Sequence, residues 1–370
     1  MPSRVHRPTP YGRSNLRCRA GFPPCVRRRQ YAPSCAMRAD PGRSCRSGPG
    51  AARTAHEDDP PGACRMSTLI FTTRAYGDLG DRIARLAGVD RGEVETKLFA
   101  DGERYLRLRT EVEGAGAVVL GGTVSEADTL ELYDLACGVV EAGARSLTLA
   151  MPYFGYGTME RAVRPHEIVT AKTRARLLSS IPLPGSGSRV LLLDLHTEGI
   201  PFYFEGALRP VHLYAQSVTL EAIRGFGAEA VGCTDAGRAK WVERFANELG
   251  VPAAFVFKRR QGAATEVTAV SAQVKDRRVV IYDDLIRSGS SLINAALAYR
   301  DAGARLVAAV ATHGVFPTDA LQRIEQSGLI EKLIVTDSHP RAASLAGNFL
   351  QVVTIAPIFA DYLKDNPCSS

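Results

Sequence analysis

The stretches VLLLDLH at 190–196 and RVVIYDD at 278–284 constrain the fold more than any other feature of the chain. Each is a near-continuous apolar run of strand length that closes on charged or titratable side chains. A run without polar alternation has no solvent-facing side, so such a strand is buried on both faces, the condition of a parallel sheet covered by helices. Comparable runs recur at 68–72, 117–121, 146–151, 228–233, 253–256, 306–312, 332–336 and 350–355. Between them lie amphipathic, helix-forming stretches at 78–86, 125–142, 167–181, 214–225, 236–249, 291–302 and 318–327. This alternation predicts an α/β architecture of mainly parallel sheets flanked by helices.

The pattern also echoes itself. EAGARSLTLAMPYFGYG at 141–157 and DAGARLVAAVATHGVFP at 301–317 both run from a helix end through an AGAR turn and a strand to an aromatic, Pro-bearing loop. Two related halves, at 66–210 and 211–366, are therefore expected.

The charge is placed unevenly. Residues 1–65 carry 13 Arg, no Lys and 4 acids, a net +9 against +7 for the whole chain, which leaves 66–370 at −2. The folded part thus gives no electrostatic reason to expect nucleic acid as a partner. The first 65 residues are rich in Arg, Pro, Gly and Ser and poor in aliphatics, so they cannot repay the entropy of ordering. They are expected to be a disordered extension, with Met66 as the functional start. No apolar stretch follows the basic residues as a secretory signal requires, and no run of about eighteen apolar residues suggests a membrane span. Of the 8 Cys, only Cys137, Cys233 and Cys368 lie beyond residue 65, which fits a reducing, cytoplasmic setting. The cysteines before that point do not form the paired spacing of a zinc knuckle.

Chemistry concentrates in RRVVIYDDLIRSGSSL at 277–292. A buried strand delivers Asp283 and Asp284 to its carboxyl end, where ligands of open α/β sheets bind, and the two carboxylates can accept hydroxyl hydrogens from a sugar. Ser288, Gly289, Ser290 and Ser291 follow at the start of a helix, offering amides and hydroxyls to an anion. The plain alternative is a solvated turn in which Ser290 or Ser291 caps the helix.

This stretch resembles the phosphoribosyl pyrophosphate loop of type I phosphoribosyltransferases and ribose-phosphate pyrophosphokinases, in which DD is usually followed by two residues and DTGGT or DTAGT. Here RSGSS replaces the last five, with Arg287 for an acid and Ser290 for a glycine, and the latter raises the prospect of strain in a loop that needs positive φ. Further stretches resemble the pyrophosphokinases in order along the chain. KLFADGERYLRL at 97–108 is similar to their adenine-contacting segment, which implies Phe99 as stacking platform and Asp101 and Glu103 as acceptors for the adenine amine. MPYFGYGTMERAVRPHEIVTAK at 151–172 is similar to their PYFGYARQDRK block, with Thr158 and Met159 in place of an Arg-Gln pair and Arg161 as a substitute cation toward ATP. VLLLDLHTEGIPFYFEG at 190–206 implies Asp194, His196 and Glu205 on the Mg²⁺ side, with His196 also toward ATP and with Arg209 where some members carry a further acid.

GCTDAGRAKW at 232–241 resembles the pyrophosphate loop through Asp235, Ala236, Gly237 and Lys240, with Arg238 where the second glycine usually stands. FKRRQGAATEV at 257–267 resembles the mobile catalytic loop, implying Lys258 and Arg260 as catalytic cations that close over the transferring diphosphate. THGVFP at 312–317 and VTDSHP at 335–340 complete a likeness that covers about residues 67–360 and lies toward the plant-type branch. The resemblance implies two phosphoribosyltransferase-like domains, an ATP side at 66–210 and a ribose-phosphate side at 211–366. It also implies Mg²⁺ as cofactor, ATP and ribose 5-phosphate as substrates, and a homo-oligomer with the ATP site near a subunit interface. The competing implications are a non-catalytic regulatory subunit, suggested by the departures, and a phosphoribosyltransferase, disfavoured by the ATP-like half.

Overall fold

The computed structural model describes residues 67–261, 264–270 and 274–367. The extension expected at 1–65 lies outside the described residues.

In the first half the chain runs through β1 (Thr68–Thr72), α1 (Gly77–Ala87), β2 (Asp90–Arg91), β3 (Val94–Leu98), β4 (Arg104–Leu108), β5 (Gly116–Leu120), α2 (Glu126–Glu141), β6 (Ser146–Met151), α3 (Thr170–Ser179), β7 (Ser188–Leu193) and β8 (Leu208–Leu213). In the order of the repeat α4 (Gln216–Phe226) ends the first half, and the second half continues through β9 (Ala230–Cys233), α5 (Ala239–Leu249), β10 (Ala253–Ala254), β11 (Val256–Gln261), β12 (Ala264–Val270), β13 (Arg278–Ile286) and α6 (Ser290–Asp301). It closes with β14 (Leu306–Gly314), α7 (Ala320–Gln326), β15 (Lys332–Thr336), α8 (Pro340–Ser344), β16 (Leu350–Val353) and α9 (Ala356–Asp365).

Two parallel sheets result, ordered β2-β1-β5-β6-β7-β8 and β10-β9-β13-β14-β15-β16. Strand for strand the order is the same, and each half adds an antiparallel hairpin at the same point, β3-β4 in the first and β11-β12 in the second. The echo in the sequence is thus an echo in topology. β5 and β6 are buried at every position, as runs without alternation require.

Helices cover both faces of each sheet. Leu132, Leu135 and Val139 of α2 and Ala171, Ala175 and Leu178 of α3 pack on one face of the first sheet. On its other face the partner of α1 comes from the far end of the chain, for Ala356, Phe359 and Leu363 of α9 pack with Ile70, Ile83 and Leu191. Burying one such Phe or Leu contributes about 1.5–3 kcal/mol, so three apolar contacts can hold a helix of this length in place. α4, which follows β8, makes the reciprocal excursion: its Ile223 packs with Val231, Val280 and Ala308 of the second sheet. Each half therefore lends its last helix to the other, and the sequence ranges of the halves differ from the cores they build.

The lending is secured by a repeated device. Asp194 follows β7, its amide donates to Leu213 O at 2.9 Å, and its Oδ1 accepts the amide of Ala215 at the head of α4 at 3.2 Å. Asp337 follows β15, its amide donates to Val353 O at 2.9 Å, and its Oδ1 accepts the amide of Ile355 at the head of α9 at 2.8 Å. In both places a histidine stands two residues on, His196 and His339.

Candidate active site

The carboxyl ends of the two sheets face one another, and side chains cross the seam. Thr312 Oγ1, at the end of β14, donates to Asp194 Oδ2 at 2.5 Å, and Tyr76 donates its hydroxyl to Ser338 O at 3.0 Å. Arg82 of α1 pairs with Asp337 at 3.0 Å. The strand ends are therefore locked into one surface, where clefts open.

The larger cleft there has a volume of about 460 Å³ and is lined by Asp283, Asp284, Ser288, Gly289 and Ser291, together with Thr234, Asp235, Gly237 and Arg238 from the loop after β9. His196, Thr158 and Arg161 reach its wall from the first half. Of the residues implied for a sugar phosphate and a pyrophosphate, the structure thus brings most into one place. Ser290 opens α6 beside Ser288, whose Oγ lies 3.3 Å from its own.

The acid pair lies inside β13, one strand register short of the loop. Thr234 donates to Asp283 Oδ2 at 2.9 Å, and the Asp284 amide donates to Asp283 Oδ1 at 3.0 Å. His196 Nδ1 stands 2.8 Å from Asp284 Oδ2, and Arg238 Nη2 stands 2.7 Å from the same oxygen. Burial, reinforced by the neighbouring Asp284 charge, pushes the Asp283 carboxyl well above the usual carboxylate range. Burial acts on Asp284 in the same sense, but the His196 hydrogen bond and the Arg238 charge outweigh it and hold this carboxyl low. The Asp284 hydrogen bond in turn raises His196 above its ordinary value, against the opposing effect of its burial.

The loop after the pair adopts the shape that the anion reading requires, by a different residue from the one that seemed to matter. Gly289 takes φ +78° at the head of α6, while Ser290 is already helical, so replacement of the second glycine introduces no positive-φ strain. A Cβ at Gly289 would also stand 2.5 Å from Ile324 Cγ1 of α7. Neither Ser290 nor Ser291 caps the helix; Gly289 occupies the capping position without a side-chain bond. Arg287, in place of an acid, donates to Thr158 Oγ1 at 3.3 Å, so two departures from the family pattern meet each other across the seam.

Other expected groupings are not formed. Asp194 is buried and its two oxygens are taken by Ala215 and Thr312; burial raises its carboxyl to about 6 despite those bonds. Glu205 pairs with Arg176 of α3 at 2.7 Å, and His196 turns to Asp284. Asp194, His196 and Glu205 therefore do not meet at one point, and among the described residues no group of three or more His, Cys, Asp or Glu side chains converges as a metal cluster. The reason is structural: Asp194 is the strand-to-helix clasp that Asp337 repeats. Lys240 lines an adjoining cavity of about 310 Å³ with Trp241 and Tyr214; Gly237, Arg238 and Asp284 line both that cavity and the larger cleft, whereas Asp235 lines the larger one. Asp235 spends one oxygen on the Gly237 amide at 2.8 Å. The side chain of Ala236 lies outside the description.

Phe99, Asp101 and Glu103 ride the tip of the β3-β4 hairpin, where Lys97 Nζ stands 4.8 Å over the Phe99 ring and Asp101 Oδ1 accepts the Glu103 amide at 3.0 Å. They line none of these seam clefts. Arg161 is a rim residue, paired loosely with Glu160 at 3.6 Å. Lys258 and Arg260 belong to β11, whose backbone pairs Lys258 with Val267 and Arg260 with Thr265 of β12; the segment expected as a loop is a hairpin, and the side chains of the two cations lie outside the description.

Sequence reasoning missed Thr234 and the group of buried His313 and His339 with half-buried Tyr153. The Tyr153 ring stands edge-on to both imidazoles, at 5.3 and 4.9 Å, in a cavity of about 240 Å³ behind the cleft. The signal for the two histidines was present in THG and DSH at strand ends.

Residues 68–181 match the N-terminal domain of ribose phosphate pyrophosphokinase, and 241–365 match the phosphoribosyl synthetase-associated domain. The ribose-phosphate pyrophosphokinase of Chlorobaculum tepidum is 30% identical over 300 residues, covering 80% of this chain and 90% of its own. The chain belongs to the ribose-phosphate pyrophosphokinase family. Family membership extends to plants, since the chloroplastic ribose-phosphate pyrophosphokinase 2 of Oryza sativa is 34% identical over 277 residues, covering 73% of this chain and 67% of the plant protein. The crystal structure of phosphoribosylpyrophosphate synthetase from Mycobacterium smegmatis superposes with a TM-score of 0.71 at 27% identity, over 80% of this chain and 98% of that one. The family fold accounts for the paired parallel sheets. It does not account for the guanidinium on the acid pair.

Proposed function

We propose that the chain is a ribose-phosphate diphosphokinase, transferring the β,γ-diphosphate of ATP to the C1 hydroxyl of ribose 5-phosphate. The observation that carries this reading is the single cleft in which the Asp283–Asp284 pair, the Ser288–Ser291 turn and the Asp235–Gly237 loop converge. Carboxylates for pentose hydroxyls, a helix start for the 5-phosphate and a second amide loop for the diphosphate are then within one ligand's reach.

The C1 oxygen attacks the β-phosphorus in line, the bond from that phosphorus to the α-phosphate oxygen breaks, AMP leaves, and the hydroxyl proton passes to solvent. Such transfers depend on positioning and on charge set around the moving group. Asp283 and Asp284 orient the pentose, Arg161 faces the nucleotide phosphates, and Lys258 and Arg260 supply charge from the hairpin. Mg²⁺ carried by the nucleotide would supply charge stabilisation to the phosphates, and His196, which lines the cleft, is the residue of the implied metal-side set that would stand beside it. The segments 66–210 and 211–366 serve as ATP side and ribose-phosphate side. The hairpin tip with Phe99, Asp101 and Glu103 completes the ATP site of a neighbouring copy, so the working form is a homo-oligomer. A cytoplasmic setting suits this reading; among the described residues no helix is long and apolar enough to cross a membrane.

The test is direct. Purified protein with ATP, Mg²⁺ and ribose 5-phosphate should form AMP and phosphoribosyl pyrophosphate in equal amounts. Absence of pentose-dependent AMP would overturn the assignment.

A further inference from the structure

Arg238 is the residue that most alters this cleft. Its side chain is only 14% exposed, with Nη2 at 2.7 Å from Asp284 Oδ2 and Nε at 3.9 Å from Asp283 Oδ1. The same Nη2 lies 3.1 Å from His196 Nδ1 and 3.2 Å from the His196 carbonyl. One planar group therefore spans both acids and ties them to the opposite half of the molecule.

Two adjacent buried carboxylates repel one another unless a cation is close to both. A bound divalent ion can serve, and so can a guanidinium, whose fork matches carboxylate geometry and which stays charged at any working pH. The other cations nearby are engaged elsewhere: Arg287 with Thr158 at 3.3 Å and Arg161 with Glu160 at 3.6 Å. Lys240 lines the adjoining cavity. The residues that the resemblance implies on the Mg²⁺ side do not come together, although one of them, His196, stands on Asp284. Of the arginines lining this cleft, Arg238 is the one paired with the acids, while His196, charged only when protonated, contacts Asp284 alone.

We propose that Arg238 is the built-in counter-cation of the Asp283–Asp284 pair and a positioning residue for the pentose, so that this chain binds ribose 5-phosphate at the pair without a divalent ion. The proposal rests on the functional reading above and concerns the pentose alone; the metal carried by ATP is a separate matter. With the guanidinium in place, Asp284 stays ionised and is held in a fixed orientation by Arg238 and His196 together, beside the more weakly acidic Asp283. Without it, a divalent ion would have to take up the same charge.

The experiment is calorimetric titration of the full chain with ribose 5-phosphate alone, in EDTA and again in millimolar Mg²⁺. The wild-type Kd should agree in the two buffers. Arg238→Gln, which keeps polarity and most of the length but loses the charge, should weaken binding about tenfold or more in EDTA. Mg²⁺ should restore it. Arg238→Lys should stay independent of metal, which a loss caused by misfolding would not allow, and thermal unfolding of each variant checks the fold. Wild-type binding that already requires Mg²⁺ would sink the inference while leaving the functional reading intact. Undiminished or tighter binding by Arg238→Gln in EDTA would also overturn it, making Arg238 an obstacle instead of a support. If the wild type binds no ribose 5-phosphate in either buffer, the functional reading falls first and this inference with it.

Discussion

Asp194 and Asp337 occupy the same position in the two halves, each accepting the amide that opens the helix lent to the other half, at 3.2 Å and 2.8 Å. The pairing explains why Asp194, which motif likeness points toward a metal, is turned inward. It also separates two roles by experiment. Asp194→Ala leaves the Ala215 amide and the Thr312 hydroxyl without their buried acceptor, a loss of about 1–3 kcal/mol. Denaturant midpoints should fall accordingly. Asp194→Asn, which keeps a carbonyl acceptor, should recover most of the stability, and the Mg²⁺ dependence of turnover should be the same in Asp194→Asn as in the wild type. A changed Mg²⁺ requirement with unchanged stability would return Asp194 to the metal.

Gly289 is the conformational hinge of the phosphate seat. At φ +78°, with Ile324 fully buried behind it, a methyl group is opposed both by the backbone and by a contact at 2.5 Å. Gly289→Ala should cost about 1–3 kcal/mol of stability from strain and overpacking. It should also weaken ribose 5-phosphate more than ATP, measured as separate KM values. Ser290→Gly, which brings back the glycine of the common pattern, should change neither stability nor KM by more than a small factor, because Ser290 is already within α6.

Much of this was legible in the sequence for one reason: buried parallel strands are continuous apolar runs. Thr68–Thr72, Ser146–Met151 and Lys332–Thr336 appear with the bounds that those runs give. The two hairpins were not legible as strands, because VETKL and RYLRL mix charge with apolar residues and pair only with each other. α9 is a short helix whose apolar face makes sense only on the distant first sheet. The candidate site divides the same way. Asp283, Asp284 and the serine turn are local in sequence, so motif and place coincide. Arg238, Asp284 and His196 meet through contacts over 42 and 88 positions of chain, and no local pattern carries that meeting.

Lys258 and Arg260 are placed on a hairpin, which can close as a unit over a ligand where a plain loop would have to order residue by residue. Each substituted singly by Ala should lower kcat by roughly two decades, the scale of a charge preset around a transferring group. KM for ribose 5-phosphate should move little. Unchanged kcat in both variants would remove the hairpin from the reaction.

The exposed tip of the first hairpin supports a shared nucleotide site. Leu98 and Phe99 are 58% and 42% exposed, a poor arrangement for apolar side chains, with the Lys97 ammonium 4.8 Å over the Phe99 ring. If the tip serves a neighbour, a Phe99→Ala, Glu103→Ala double variant and a Lys258→Ala variant should each retain only about 1% of the activity alone. Mixed and allowed to exchange subunits, they should regain about a quarter of the wild-type rate at most, because some sites draw both parts from intact copies. No recovery in demonstrably mixed oligomers would confine the hairpin to its own chain.

His339 supplies a pH dependence of stability with a definite sign. Burial, with the nearby His313 and Arg341 adding to it, pushes its pKa down from 6.5 to about 4. The folded state therefore prefers the neutral ring, while the unfolded chain takes up a proton below about 6.5. The stabilisation is full above that pH and is lost as pH falls through the window from 6.5 to 4. At about 1.4 kcal/mol per unit, the ceiling is about 3 kcal/mol. His339 Nδ1 also accepts the Arg341 amide at 3.3 Å, capping α8, so the informative substitution is His339→Asn, which can cap a helix and carries no titrating ring. Denaturant unfolding at pH 7 and pH 5 should show a smaller loss for the variant than for the wild type, even though the variant forfeits the Tyr153 contact and starts lower at pH 7. Equal losses in the two proteins would mean that the imidazole is reached by water in the folded state and does not bear on acid stability.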